Sequence, residues 1–264
     1  TEQPDSALET LRRSLDVSSE VPPPAAATVL LATGQVGEAL QVISTPWRHW
    51  FLEDEDGGEL IDYSGGEVLI DRARIFGIAG QTDLLSNEIK GFDSLWQEPD
   101  FSPSQLRQLW HDVAARLVCP LALNESALAS SRQRAAPLDS LWLALTNQLP
   151  SDQGAAYIAN VGSRSAGSET TDALVPALLS WRQGATQQAL RFFNRLDSIP
   201  LSVGEEFEPG WGLRIRSFYE RGRLLEEMGE PEHAAAMYRT FLRWWADGDS
   251  HVHDLVEDAE SRLA

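Results

Sequence analysis

The chain has 264 residues and is 42% hydrophobic, with nine tryptophans and nine phenylalanines. That is enough apolar material for a sizeable core, and it excludes a disordered chain. The net charge is −19 and Lys90 is the single lysine, so nucleic acid and anionic lipid are repelled at long range and basic partners are favoured.

Taken in order, residues 1–5 read as a frayed end. Residues 6–15 read as a short helix with Ala7, Leu8, Leu11 and Leu15 on one face. Val21-Pro22-Pro23-Pro24 is a stiff break. Residues 25–32 and 36–43 are expected to form a first helix pair, followed by the aromatic and basic Trp47-Arg48-His49-Trp50. Residues 52–66 are acidic and glycine-rich and read as a solvated loop, with a small hairpin around Asp56-Gly57-Gly58 as the alternative. Residues 71–79 and 83–96 form a second pair, with Asp83 placed as a helix N-cap.

Residues 99–103 break the chain again. Ser104 then caps a helix over 105–117 whose face carries Leu106, Leu109, Trp110 and Val113. Residues 126–138 read as helix or loop, and 138–149 and 153–161 as helices. The Ser/Gly-rich stretch 162–170 reads as a flexible joint between an N-terminal region, 1–161, and a C-terminal region, 171–264. Residues 171–182 and 186–196 form a third pair, and 200–209 a loop with Glu205, Glu206 and Glu208. A fourth pair occupies 210–249, divided by Met228-Gly229-Glu230-Pro231. Residues 251–263 close the chain as a polar-faced capping helix carrying Val252, Leu255 and Leu263. The longest apolar run, 25–32, is far shorter than the ~20 residues of a membrane span.

One pattern recurs around Gly34, Gly80, Gly184 and Gly229. Seven residues before each glycine stands a small residue: Ala27, Ala73, Ala177 and Gly222. Four before each is Leu30, Phe76, Ser180 or Leu225. Five after each is Ala39, Leu85, Ala189 or Ala234, and nine after is Ile43, Ile89, Phe193 or Tyr238. The glycine permits the left-handed turn that ends a helix. The small residues let two helices approach, and the large one fills the groove between pairs.

The fourth of these units resembles a tetratricopeptide (TPR) repeat, with Gly222 where the helices cross, Gly229 ending the first helix and Ala234 opening the second. It departs from the family at Arg221, where an aliphatic residue is usual, and at Phe241, where a small one is. The glycines of the first two units, and of the last two, lie about 45 residues apart, longer than the ~34 of a TPR. The long connections and the Trp-rich, Lys-poor composition are similar to TPR-like regions of bacterial multidomain regulators. The resemblance implies an all-α fold: a right-handed superhelical stack of antiparallel helix pairs, a TPR-like α-solenoid.

Several clusters carry residue types suited to chemistry. His251-Val252-His253-Asp254 has metal-binding residue types, but on a helix the two imidazoles diverge and too few ligands remain, so a helix entry capped by Asp249 or Ser250 is the simpler reading. The run from Glu53 to Glu59 resembles part of a calcium loop without its full ligand spacing. Gly162–Ser168 lacks the lysine and preceding strand of a phosphate loop. Cys119 among Leu117, Val118 and Leu121 reads as a buried, inert thiol. No catalytic, cofactor or metal motif is assigned.

Trp47, Arg48 and Trp50, with Arg243, Trp244 and Trp245, combine aromatics with arginine as protein interfaces do, and are the expected partner-binding residues. Adjacent Trp244 and Trp245 diverge by about 100° on a helix, so both cannot face one interior.

The function expected is non-catalytic: a protein–protein interaction scaffold or a structural subunit of a larger complex. Its partner would be a basic or apolar protein segment, with no cofactor and no nucleic acid. Attachment to a membrane would run through protein contacts, and the sequence leaves cytoplasm and periplasm open. The alternatives are a sensor region of a signalling or transcriptional protein, and an enzyme on a helical scaffold.

Overall fold

A computed structural model describes residues 23–44, 65–81, 83–84, 174–199 without 175, 179 and 182, and 210–264. Among the described residues the regular structure is entirely helical. In chain order the helices are α1 (Pro23–Ala32), α2 (Val36–Ile43), α3 (Gly65–Ala79) and α4 (Thr186–Arg195) with a 3-10 turn (Leu196–Ser198). α5 (Gly210–Glu227), α6 (Pro231–Trp245) and α7 (His253–Leu263) follow. Residues 174, 176–178, 180 and 181, which precede α4, are also helical.

The four glycines form the same turn. Their φ angles are 76°, 79°, 76° and 75° for Gly34, Gly80, Gly184 and Gly229. In each, the glycine N–H donates to the carbonyl three residues back: Leu31, Gly77, Trp181 and Glu226. The next residue's N–H donates to the carbonyl five residues back: Leu30, Phe76, Ser180 and Leu225. This is the Schellman ending, in which a left-handed glycine lets two otherwise orphaned carbonyls be satisfied. Three of the turns then start the second helix alike. Gln35, Ala185 and Glu230 have ψ of 65°, 60° and 62°, and their carbonyls accept from Ala39, Ala189 and Ala234.

The packing follows the same register. Ala27, Ala73, Ala177 and Gly222 are all buried, as are Ala39, Ala189 and Ala234 at the opposing helix starts. Ile43, Phe193 and Tyr238 are buried as well, and Tyr238 packs inside its own pair, on Gly222 and Tyr219, and not in a groove between pairs. Gly222 is the tightest crossing: a Cβ there would lie 2.5 Å from the Tyr238 ring.

The pairs are not arranged only beside their neighbours in sequence. α5 packs on α6 and α4, and also on α1 and α3. Gly212 makes this possible, because a Cβ there would meet Leu31 at 2.7 Å and Ile78 at 3.1 Å. One hydrophobic cluster therefore joins residues on both sides of 162–170, from Ala27 and Leu31 through Ile78 to Leu213, Phe241 and Val256.

Some boundaries differ from those expected. α1 starts at Pro23, inside the proline run, since proline is well suited to a first helical turn. α3 begins at Gly65, so Asp71 lies within it and binds Arg74 one turn on at 2.6 Å. Asp83 is itself helical and does not stand outside the helix as a cap. α4 ends at Arg195 and tightens into the 3-10 turn, and α7 starts at His253, because Asp249 caps the turn before it.

The helices expected over 6–15, 83–96 beyond residue 84, 105–117, 126–138, 138–149 and 153–161 lie outside the described residues. So do the acidic loop up to residue 64 with its alternative hairpin, Cys119, the joint at 162–170 and the loop at 200–209. No described helix is long and apolar enough to cross a membrane.

Candidate functional site

α5 begins with Gly210, Trp211 and Gly212 and then carries Arg214, Arg216, Arg221 and Arg223, which fasten it to its neighbours. Arg216 is 3% exposed, and Glu220, one turn later, is fully buried. Arg216 Nε and a terminal nitrogen reach Glu220 Oε1 at 2.8 and 2.7 Å, and Arg223 reaches Oε2 at 3.4 Å. Arg216 also donates to the Ile78 carbonyl of α3 at 3.4 Å and stacks over Tyr219 at 5.1 Å. A carboxylate gripped on both oxygens is held as a fixed acceptor, and leaving either partner alone in the core would be costly.

The seam continues outward. Tyr219 donates its hydroxyl to Asp258 Oδ2 of α7 at 2.6 Å, and Arg262 Nε donates to the same oxygen at 2.6 Å. Arg262 also pairs with Glu226 of α5. Burial, and next the hydrogen bond to Asp258, push the Tyr219 hydroxyl up to about 12. Burial raises the pKa of Asp258, but hydrogen bonds from Arg262 and Tyr219 outweigh it and hold the carboxyl below its usual value. On the other side of α5, Arg221 grips Asp197 in the 3-10 turn, and Arg214 donates to the Ile199 carbonyl. Trp181 donates its indole N–H to Glu227 at 2.6 Å, with Arg223 over its ring at 5.5 Å.

The expected partner-binding residues separate. On α6, Pro231 occupies the first turn and Arg243 the last, where a cation suits the helix dipole. Arg243 is exposed, and Trp244 is half-buried against Trp211, ring centroids 6.3 Å apart. Trp245 is fully buried, edge-on to Phe241 at 5.3 Å, and so has no surface to offer a partner. Its burial follows from the divergence of adjacent helix positions, which leaves one of the two tryptophans inside. Trp47, Arg48 and Trp50 lie outside the described residues, as do the runs Glu53–Glu59 and Gly162–Ser168.

The histidines at the end of the chain have separate partners. His251 Nδ1 lies 3.1 Å from Asp249, and His253 Nε2 lies 2.8 Å from Glu257 one turn on. Among the described residues no group of three or more metal-ligating side chains converges.

Nothing in the sequence pattern marks the seam as buried. Arg216 and Glu220 stand four apart, a readable helical ion-pair spacing, but that spacing is usually solvent-exposed. The chain matches no family model, no curated protein and no solved structure.

Proposed function

We propose that this protein is a non-catalytic protein-binding scaffold, or a structural subunit of a multiprotein assembly, built as a TPR-like stack of helix pairs. The observation that carries the reading is the repetition of one glycine turn with one backbone geometry in four places. Repeated hairpins of this kind give extended helical surfaces suited to holding another polypeptide. The partner is a protein with a basic or apolar docking segment, as the net charge of −19 favours. Arg243 and the open side of Trp244 are the described part of its docking surface.

The test is capture of the native chain at physiological salt, with bound proteins identified by mass spectrometry. Any partner is then retitrated against Trp244→Ala, expected to weaken binding about tenfold or more. Co-purification of a small molecule with no protein would overturn the scaffold reading and favour an enzyme.

A further inference from the structure

The four glycine turns share a backbone but not an environment. A Cβ added at Gly184 or Gly229 would meet nothing within 4 Å. At Gly34 it would lie 3.0 Å from the Gly248 Cα, and at Gly80 3.0 Å from an Arg216 terminal nitrogen and 3.3 Å from Leu255. The first two turns are thus covered: Gly34 by the end of α6 and the connector that follows it, and Gly80 by Arg216 of α5 together with Leu255 of α7.

Asp249 is the centre of that cover. Its main-chain N–H donates to the Gly34 carbonyl at 3.0 Å. Its carboxylate divides between two backbone donors: Oδ2 accepts from Gly37 N–H at 2.6 Å, and Oδ1 from His251 N–H at 2.9 Å. On either side, Gln35 donates to the Asp247 carbonyl at 3.0 Å, and Gln81 donates to the His251 carbonyl. Glycines shape the fit. A Cβ on Gly248 would lie 2.4 Å from Val252 and 2.9 Å from the Trp245 carbonyl, and one on Gly37 would crowd Asp249 and His251 at 3.3 Å.

Gly37 is in the first turn of α2, where backbone N–H groups have no partner inside the helix. The residue at the cap position, Gln35, makes no side-chain bond to the first N–H groups of α2. We propose that residues 247–251 are a strap and that Asp249 caps α2 from more than two hundred positions away. The start of the first helix pair is then coupled to the position of the C-terminal helix. Displacing α7 uncaps α2, and loosening the α2 turn releases α7.

Residue-resolved amide hydrogen exchange on the full chain tests this, with Asp249→Ala as the first variant, because a methyl group accepts from neither Gly37 nor His251. The expected result is exchange at Gly37 and its neighbours at least tenfold faster, with Gly184, Ala185, Gly229 and Glu230 unchanged and helicity retained. Gln35→Ala, at the surface, serves as the second variant and should speed the same first-turn amides by a smaller factor. If neither variant alters exchange at Gly37, or if all turns accelerate by a common factor, there is no strap.

Discussion

Arg221 holds Asp197 with both terminal nitrogens, at 2.7 and 2.9 Å, across the gap between α5 and the 3-10 turn that follows α4. Arg221 is 2% exposed and its ring-stacking partner is Phe218, 4.5 Å away. This is the position where the TPR pattern has an aliphatic residue. Here the arginine makes a bidentate ion pair whose acid end faces solvent.

Asp197→Ala is therefore expected to be costly, because it strands a buried guanidinium. A loss of about 1–3 kcal/mol is expected, below the full range for a buried pair because Asp197 is half-exposed. The double variant Arg221→Leu/Asp197→Ala should recover part of that loss by restoring an apolar contact. Urea denaturation of the two single variants and the double one checks the ordering; a double variant less stable than Asp197→Ala would contradict it.

Gly222→Ala tests the closest helix crossing. Within a helix, alanine would ordinarily add about 1 kcal/mol. Here the new methyl would lie 2.5 to 2.8 Å from three atoms of the buried Tyr238 ring, which is itself packed against Tyr219 at 6.0 Å. Overpacking of this kind costs about 1–3 kcal/mol, so the net change should be destabilising. A thermal melt of the variant at or above the parent midpoint would refute the crossing.

The turns offer a graded series. Gly229→Ala has free space and pays only for its left-handed backbone, about 1 kcal/mol. Gly34→Ala pays the same strain and also meets the Gly248 backbone at 3.0 Å, so it should be clearly the worse of the two. Chemical denaturation midpoints rank them, and equal losses would mean that the covered and uncovered turns are equivalent.

Stability should fall steeply in alkali. Tyr219 ionises near 12 when folded, against an ordinary value of 10, and the pKa of Tyr238 is raised as well, chiefly by burial. Below pH 10 both tyrosines are protonated in the folded and unfolded chains, so they contribute no slope. Above it the unfolded chain binds fewer protons, and stability drops by about 1.4 kcal/mol per pH unit for each tyrosine until its folded value is passed. Urea melts between pH 9 and 11.5 should show this, and Tyr219→Phe should make the slope shallower. An unchanged slope in that variant would place Tyr219 in water.

The turns and the helices around them were legible because their causes are local. Glycine at a helix end, a small residue at a crossing and a large apolar residue nine positions on are each dictated within one hairpin. The strap was not legible, since nothing near Gly37 announces that its N–H will find Asp249. Likewise, Arg216 and Glu220 have an ordinary surface spacing, yet both are buried, with Arg216 bonded to the Ile78 carbonyl of α3. Trp244 and Trp245 could be seen to diverge, but which one faced inward depended on the neighbouring helices.

The seat that Gly212 makes for Leu31 and Ile78 also bears on how the chain is made. During synthesis the first hairpin leaves the ribosome long before residue 212 is added; at ~5–20 residues per second the delay is on the order of ten seconds or more. Through that interval the apolar side of α1 is without its eventual cover, so nascent chains are the form most exposed to chaperones and to clumping. Slow, late-closing contacts of this span belong with unhurried refolding rather than with the fast kinetics of purely local helical bundles.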